Sequence, residues 1–120
     1  MNNAAPTTAR RRYYDTTGDS YEASRYAERH MEGYRDFRNR TLLTILSEKA
    51  PEPRPRILEV GCGTGMTLEY LASARPDASL YGVDLSATML GQAAQKTARL
   101  GRRPRLSIAD AGRLPFPDGF

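Results

Sequence analysis

The sequence predicts an α/β fold built on a parallel, Rossmann-like sheet, and two features predict it. Three short apolar segments end in a glycine turn or an aspartate, at 57–60, 80–84 and 106–110. Helical patterns separate these segments, which gives the order strand, helix, strand, helix, strand. Such an order favours right-handed crossovers and places a ligand crevice at the carboxyl ends of the strands.

The region before the first strand divides into two parts. Residues 1–19 are polar and basic with little hydrophobic periodicity, so we expect a flexible basic tail. Asp19 or Ser20 can cap a helix, and residues 20–50 are predicted to form an N-terminal helical cap. Its inner stripe, at helical spacing, comprises Ala27, Met31, Tyr34, Arg38, Leu42 and Ile45. Closely spaced prolines then end the helix and lead into a domain over residues 54–120.

Local signals define the elements of this domain. The apolar run at 57–60 predicts a strand that is buried on both faces. One helix is predicted over 66–74, and a second begins at its cap, Ser86, and ends before Gly101. The helix positions predicted to face the core are Leu68, Leu71, Ala72, Met89, Leu90, Ala93, Ala94 and Thr97.

The glycine turn after the first strand is the central motif. Gly61 permits positive φ, Gly63 lets a ligand approach the backbone, and Gly65 allows the helix start to pack close to the strand. The spacing is G-x-G-x-G, whereas dinucleotide-binding turns read G-x-G-x-x-G and cradle a pyrophosphate. With the acidic Glu59 just before it, this shorter turn favours a ligand that carries an amino acid group and no phosphate.

Two aspartates follow the second and third strands and indicate a nucleoside ligand. Asp84 can accept hydrogen bonds from both ribose hydroxyls and would repel a 2′-phosphate. Asp110, followed by the small Ala111, can accept a hydrogen bond from an adenine amino group. Structural roles remain open for both carboxylates, because Asp84 can cap the following helix and Asp110 can form a turn with Gly112.

Composition argues against several function classes. The net charge is +4, but most arginines are scattered among acidic residues, which favours a solvated surface over nucleic-acid contact. The single Cys62 and single His30 give no metal site and no base for a cysteine nucleophile. No apolar run reaches the roughly 20 residues that span a bilayer, and residues 1–12 lack a secretory core. A cytoplasmic protein without a membrane partner is therefore expected.

Three stretches on the predicted strand ends resemble the class I S-adenosylmethionine-dependent methyltransferases. They read LEVGCGTG at 58–65, GVDLS at 82–86 followed by Met89 and Leu90, and DAGRLPFPD at 110–118. The likeness is to the small-molecule branch that includes the quinone-biosynthesis methyltransferases. A looser likeness at Tyr13, Tyr14, Asp15 and Tyr21 corresponds to a Tyr-Asp segment that closes over the cofactor in such enzymes.

The resemblance implies S-adenosylmethionine as methyl donor and in-line transfer of its methyl group to a small-molecule acceptor. It implies that Glu59 supports the turn and reaches the cofactor's ammonium, that Asp84 binds the ribose, and that Asp110 meets the adenine. The full set of implied cofactor contacts is Glu59, Gly61, Cys62, Gly63, Gly65, Asp84, Leu85, Met89, Asp110 and Ala111. It identifies no catalytic residue and no metal ligand.

The resemblance also implies that the chain is truncated and carries only the N-terminal, β-α-β-α-β half of the fold. Family members continue with a fourth strand beside the first, so we expect an open edge on the first strand and self-association through it. A non-catalytic S-adenosylmethionine-binding or interaction module is therefore the alternative function. A nicotinamide-dependent oxidoreductase is a further alternative, which the glycine spacing disfavours.

Overall fold

A computed structural model gives the architecture of the chain and describes residues 4–26 and 30–120. The elements are α1 (Ala4–Tyr26), α2 (His30–Lys49), β1 (Arg56–Val60), α3 (Met66–Ala74), β2 (Ser79–Asp84), α4 (Ala87–Arg99) and β3 (Arg105–Ile108). The strands form one parallel sheet in the order β1-β2-β3. The prediction of an α/β fold with a parallel, Rossmann-like sheet is therefore confirmed.

β1 lies at one edge of this sheet, and β2 lies in its centre. Ile57 of β1 is opposite Leu80 of β2, and Gly82 of β2 is opposite Leu106 of β3. The prediction that β1 is buried on both faces is wrong, because its residues are half-buried or exposed and Val60 is 45% exposed. Within the described residues β1 pairs with β2 alone, so its other edge stays open.

Helices α3 and α4 contribute most of the buried helical side chains. The predicted core positions that are buried are Leu68, Leu71, Ala72, Met89, Leu90, Ala93 and Thr97. Ala94 is exposed, so the prediction is wrong there, because it lies about 100° round the helix from Ala93. The sheet approaches α3 closely at Gly82, where a Cβ would lie 2.8 Å from Cδ1 of Leu68.

The prediction of a flexible tail over residues 1–19 is wrong for residues 4–19, which belong to α1. Threonines and a glycine gave this segment a low helix propensity in the sequence. In the fold, Thr16 and Thr17 donate side-chain hydrogen bonds to carbonyls of the preceding turn. Gly18 packs against α4, where a Cβ would lie only 2.7 Å from Cγ2 of Thr88. Residues 4–19 thus form a helix despite their low helix propensity, and this helix packs against α4.

The inner face of α2 differs in part from the predicted stripe. Leu42 and Leu46 pack against the core. Tyr34 and Ile45 are 56% and 49% exposed, so the prediction is wrong for these two positions. Of the remaining stripe positions, Ala27 and the side chain of Met31 lie outside the described residues. The helix thus contacts the core with a narrower face than its periodicity indicates.

Candidate functional site

The glycine turn lies at the carboxyl end of β1 and is held by β2. The N–H groups of Gly61 and Cys62 both donate to the carbonyl of Val83, at 2.8 and 3.0 Å. The three glycines all have positive φ, at +73° for Gly61, +54° for Gly63 and +81° for Gly65. A Cβ on Gly61 or Gly63 would meet no atom within 4 Å, so the backbone there faces open space that a ligand can enter.

Gly65 and Cys62 lie on the inner side of the turn. A Cβ on Gly65 would lie 2.5 Å from Cβ of Ala93, so this glycine lets the start of α3 approach α4 rather than the strand. Cys62 is buried in the core, and burial raises the pKa of its thiol to about 12, with a further contribution from the negative charges of Glu59 and Asp84. A thiol with so high a pKa stays neutral, which agrees with the absence of a nucleophilic role.

Asp84 links the glycine turn to the start of α4. One carboxylate oxygen, Oδ2, accepts a hydrogen bond from the N–H of Gly63 at 2.8 Å. The other, Oδ1, accepts from the N–H of Ser86 at 3.0 Å. The helix-cap alternative for Asp84 is wrong, because Ser86 is the N-cap of α4. The two hydrogen bonds of Asp84 instead fix its carboxylate beside the glycine turn. A carboxylate has about four acceptor sites, so capacity remains for ligand hydroxyls.

A cavity of about 260 Å³ lies where the glycine turn meets the ends of β2 and β3. The sequence-predicted residues that line it are Gly61, Gly63, Asp84, Leu85, Met89, Asp110 and Ala111. Glu59, Cys62 and Gly65 are absent from its lining. The cavity thus lies at the carboxyl ends of parallel strands, which is where open α/β sheets bind their ligands.

Helix α1 forms a wall of this cavity, which in the sequence only the looser family likeness indicated. Arg10, Tyr14 and Tyr21 line the cavity from α1, together with Ala109 after β3. The rings of Tyr14 and Tyr21 are 5.8 Å apart and meet edge to face. The looser family likeness included both tyrosines, whereas Arg10 was missed. Positions four and seven apart share one face of a helix, so a helical reading of this segment would have grouped all three.

Glu59 lies at the end of β1 beneath the turn. Burial raises the pKa of its carboxyl to about 7, although a hydrogen bond from Thr67 and the positive charge of Arg38 lower it and Asp84 raises it. Its Oε2 atom is buried without a hydrogen-bond partner, as is Nε of Arg38. A cation brought near by a ligand would favour the ionised form of this carboxyl.

Asp110 combines a turn with a place on the cavity wall. Its Oδ1 accepts a hydrogen bond from the N–H of Gly112 at 2.8 Å, as the turn alternative predicts. Its Oδ2 accepts from the hydroxyl of Thr7 in α1 at 3.4 Å. In the described parts of the chain, no three His, Cys, Asp or Glu side chains are grouped to hold a metal ion.

Comparison with known proteins identifies the domain. Residues 57–120 match the family model described as a methyltransferase domain. Demethylmenaquinone methyltransferase of Thermus thermophilus is 39% identical over 80 residues, which are 67% of this chain and 35% of that protein. Malonyl-[acyl-carrier protein] O-methyltransferase of Halorhodospira halophila is 32% identical over 108 residues, which are 90% of this chain and 34% of that protein. The chain spans about a third of the length of these relatives.

Solved structures extend the likeness toward the N-terminal helices. Magnesium protoporphyrin IX methyltransferase from Synechocystis PCC 6803 with bound SAM has a TM-score of 0.71 at 25% identity, over 95% of this chain and 59% of that chain. An S-adenosylmethionine-dependent methyltransferase from Clostridium acetobutylicum has a TM-score of 0.56 at 29% identity, over 65% of this chain and 30% of that chain. The chain belongs to the methyltransferase domain family, whose methyl donor is S-adenosylmethionine.

Proposed function

We propose that this chain binds S-adenosylmethionine and forms the cofactor-binding part of a methyltransferase that acts on a small molecule. The cavity at the strand ends carries the proposal, because it combines an open glycine backbone with the carboxylates of Asp84 and Asp110. Two acceptors on neighbouring strands suit a nucleoside whose ribose and base are bound together. Because the chain spans about a third of its relatives, the complete reaction is proposed for the domain as a whole.

Each part of the cavity has a proposed task in binding the donor. The backbone at Gly61 and Gly63 lies against the methionine portion, and Asp84 accepts hydrogen bonds from the ribose hydroxyls. Asp110 accepts from the adenine amino group. The side chains proposed to pack beside the adenosine are Leu85, Met89 and Ala111. Glu59, just beneath the turn, supplies negative charge near the donor's ammonium.

The proposed chemistry is an in-line displacement. The bound donor supplies a methyl group on a sulfonium, which an acceptor nucleophile attacks as the carbon–sulfur bond breaks and S-adenosylhomocysteine leaves. The residues of this chain contribute alignment and exclusion of water, since the donor brings its own leaving group. No side chain of this chain is assigned as the acceptor's base.

A small-molecule acceptor agrees with the names of the relatives. Besides the two described above, trans-aconitate 2-methyltransferase of Pseudomonas aeruginosa is 45% identical over 59 residues, which are 49% of this chain and 22% of that protein. The substrates in these names differ in chemistry, so we propose the class and leave the individual acceptor open. None of the described helices is both long and apolar enough to cross a bilayer. A cytoplasmic location stays a prediction.

Calorimetric titration with S-adenosylhomocysteine tests the proposal. The wild-type chain should bind, and Asp84→Ala should weaken binding by about tenfold or more, because it removes charged hydrogen bonds. Asp36→Ala is the matched control, since Asp36 is an exposed aspartate on α2 outside the cavity lining. Circular dichroism of each variant must show a folded protein.

Two results would contradict the proposal that the chain binds S-adenosylmethionine, and a third would contradict the proposed site. One is a folded wild-type chain that gives no heat with S-adenosylhomocysteine. The other is a melting temperature that NAD raises and S-adenosylhomocysteine does not, which would favour a nicotinamide-dependent enzyme. Equal affinity of the wild type and Asp84→Ala for S-adenosylhomocysteine would show that the ligand binds outside this cavity.

We also propose that the chain self-associates through the open edge of β1. Val60 of this strand is 45% exposed, and within the described residues no strand covers the edge. Unpaired N–H and C=O groups on such an edge can hydrogen-bond to a strand of another chain.

A further inference from the structure

Helix α1 contacts α4 through a row of polar groups. The hydroxyl of Ser86 donates to the Asp15 carboxylate at 2.6 Å. Three residues further along α1 and six further along α4, the amide of Gln92 donates to the carbonyl of Gly18 at 2.6 Å. Because the partners advance together along both helices, α1 and α4 run side by side in the same direction. This polar row holds the helix that carries the Arg10, Tyr14 and Tyr21 wall of the cavity.

Glu22 occupies the far end of this row and contacts two elements at once. Its Oε1 accepts a hydrogen bond from the hydroxyl of Thr64 at 2.8 Å and forms an ion pair with Lys96 of α4. Thr64 stands inside the glycine turn, between Gly63 and Gly65, and is only 4% exposed. Glu22 is therefore a residue through which α1 contacts the turn itself.

The contact between Glu22 and Thr64 lies next to the backbone that faces the cavity. The neighbour of Thr64 in the turn is Gly63, whose N–H donates to Asp84 and whose other side faces open space. A change in the position of Thr64 must therefore alter the Gly63 backbone or the Asp84 carboxylate. Such a coupling is expected of residues that share one hydrogen-bond network.

We propose that Glu22 is a positioning residue, which links the docking of α1 over the cavity to the binding-ready shape of the glycine turn. The inference rests on the proposed function and adds a residue outside the cavity lining. Ligand binding and α1 docking then favour each other, since each stabilises the same turn.

Titration with S-adenosylhomocysteine of Glu22→Ala, Thr64→Val and the double variant tests the link. Glu22→Ala should weaken binding by about tenfold, the change expected for a charged hydrogen bond. Thr64→Val keeps the side-chain volume and should weaken binding by about threefold or more. The double variant should bind as weakly as Glu22→Ala alone, because both changes remove one contact. Glu22→Gln, which retains an acceptor for Thr64, should recover part of the affinity.

Limited trypsin digestion at Arg10, Arg11 and Arg12 reports α1 docking separately. S-adenosylhomocysteine should protect these bonds in the wild type and in Glu48→Ala, a control at an exposed glutamate of α2. In Glu22→Ala that protection should be lost. Variants with lower melting temperatures but wild-type dissociation constants would make Glu22 merely structural and overturn the inference. Binding that is absent already in the wild type would instead contradict the proposed function and the inference with it.

Discussion

At the scale of single residues, Glu59 is a carboxyl within the described part of the chain whose pKa burial brings close to neutral pH. Burial raises its pKa from 4.5 to about 7, so the folded protein holds this proton more tightly than the unfolded chain does. The stabilisation that follows is complete below pH 4.5 and is lost as the pH rises through 7. The unfolding free energy should therefore decrease over this range, in contrast to the usual behaviour of ion-paired carboxylates.

The decrease can be measured by urea unfolding between pH 4.5 and pH 8. For Glu59 alone it should be on the order of 3 kcal/mol, from about 1.4 kcal/mol per pH unit of pKa shift. Glu59→Gln cannot titrate, so its profile should be flatter than that of the wild type by this amount. Glu52→Gln, at an exposed glutamate, should follow the wild type. Parallel profiles for wild type and Glu59→Gln would show that Glu59 titrates normally.

The glycines of the turn should respond differently to alanine. Gly63→Ala should lower stability by about 1–2 kcal/mol, because φ is positive but the methyl group would enter open space. Gly65→Ala should cost about 3 kcal/mol or more, because its methyl would also overlap Ala93. Thermal unfolding measures both. Gly63→Ala should nevertheless weaken binding of S-adenosylhomocysteine more than Gly65→Ala does, although it lowers stability less. Equal losses of stability in the two variants would contradict the difference in packing between the two glycines.

At the scale of elements, prediction succeeded where a local signal sets a boundary. The bounds of α3 agree with the predicted 66–74, because a glycine turn precedes the helix and Pro76 follows it. The hydroxyl of Ser86 accepts from the N–H of Met89 at 3.2 Å, as expected of a helix cap, and Gly101 has a φ of +67° after α4. Such signals depend on neighbours in sequence and can be recognised without a structure.

Prediction failed where partners distant in sequence decide the conformation. Helix α1 contacts α4 through pairs such as Asp15 and Ser86, which are 71 positions apart. The same reason explains the site: the three motifs could be assigned to strand ends, but Arg10 reaches the cavity only because α1 docks there. Within residues 1–19, the looser family likeness at Tyr14 and Asp15 pointed to the cofactor, but the low helix propensity concealed the helical face that Arg10 shares with Tyr14.

Replacement of Ser86 should affect α1 and α4 together. Ser86 is fully buried, caps α4 and donates to Asp15 of α1, so Ser86→Ala should lower stability by about 1–2 kcal/mol. Trypsin should also cleave α1 faster in this variant. Ser47→Ala, at an exposed serine on α2, should change stability by less than about 0.5 kcal/mol. Unchanged cleavage of α1 in Ser86→Ala would show that the cap and the docking contact are independent.

At the scale of the whole molecule, the two faces of the sheet differ in what covers them. Helices α3 and α4 pack on one face. On the other, the C-terminal segment contributes Phe116 and Phe120, whose rings lie 5.9 and 5.0 Å from that of Tyr81. Arg56 of β1 stacks on Phe120 at 4.6 Å from the ring centroid. This aromatic cluster covers part of that face, and among residues 4–26 and 30–120 no strand pairs with the outer edge of β1.

The open edge should make the association state depend on concentration. Sedimentation velocity of the wild-type chain should show dimers or larger species at high concentration. Val60→Lys should shift the distribution toward monomer, because a lysine disfavours pairing at a strand edge. Ile45→Lys, at a similarly exposed apolar residue on α2, is the control and should behave as the wild type. A wild type that is monomeric at all concentrations would contradict self-association through β1.

The double hydrogen bonding of Asp84 has a consequence for how a ligand would bind. Its carboxylate is already oriented by the N–H groups of Gly63 and Ser86, so little rotational freedom is left to lose when hydroxyls arrive. The entropy lost in fixing the Asp84 carboxylate is therefore lost during folding and not during binding. We expect a ligand to bind to this carboxylate rapidly and without rearrangement of the side chain. Conversely, Asp84→Asn leaves a single side-chain oxygen to accept from the N–H groups of Gly63 and Ser86. This variant should therefore have a lower association rate constant as well as a lower affinity for the ligand. The two hydrogen bonds that hold the glycine turn to Asp84 should therefore also set the rate at which a ligand associates with the site.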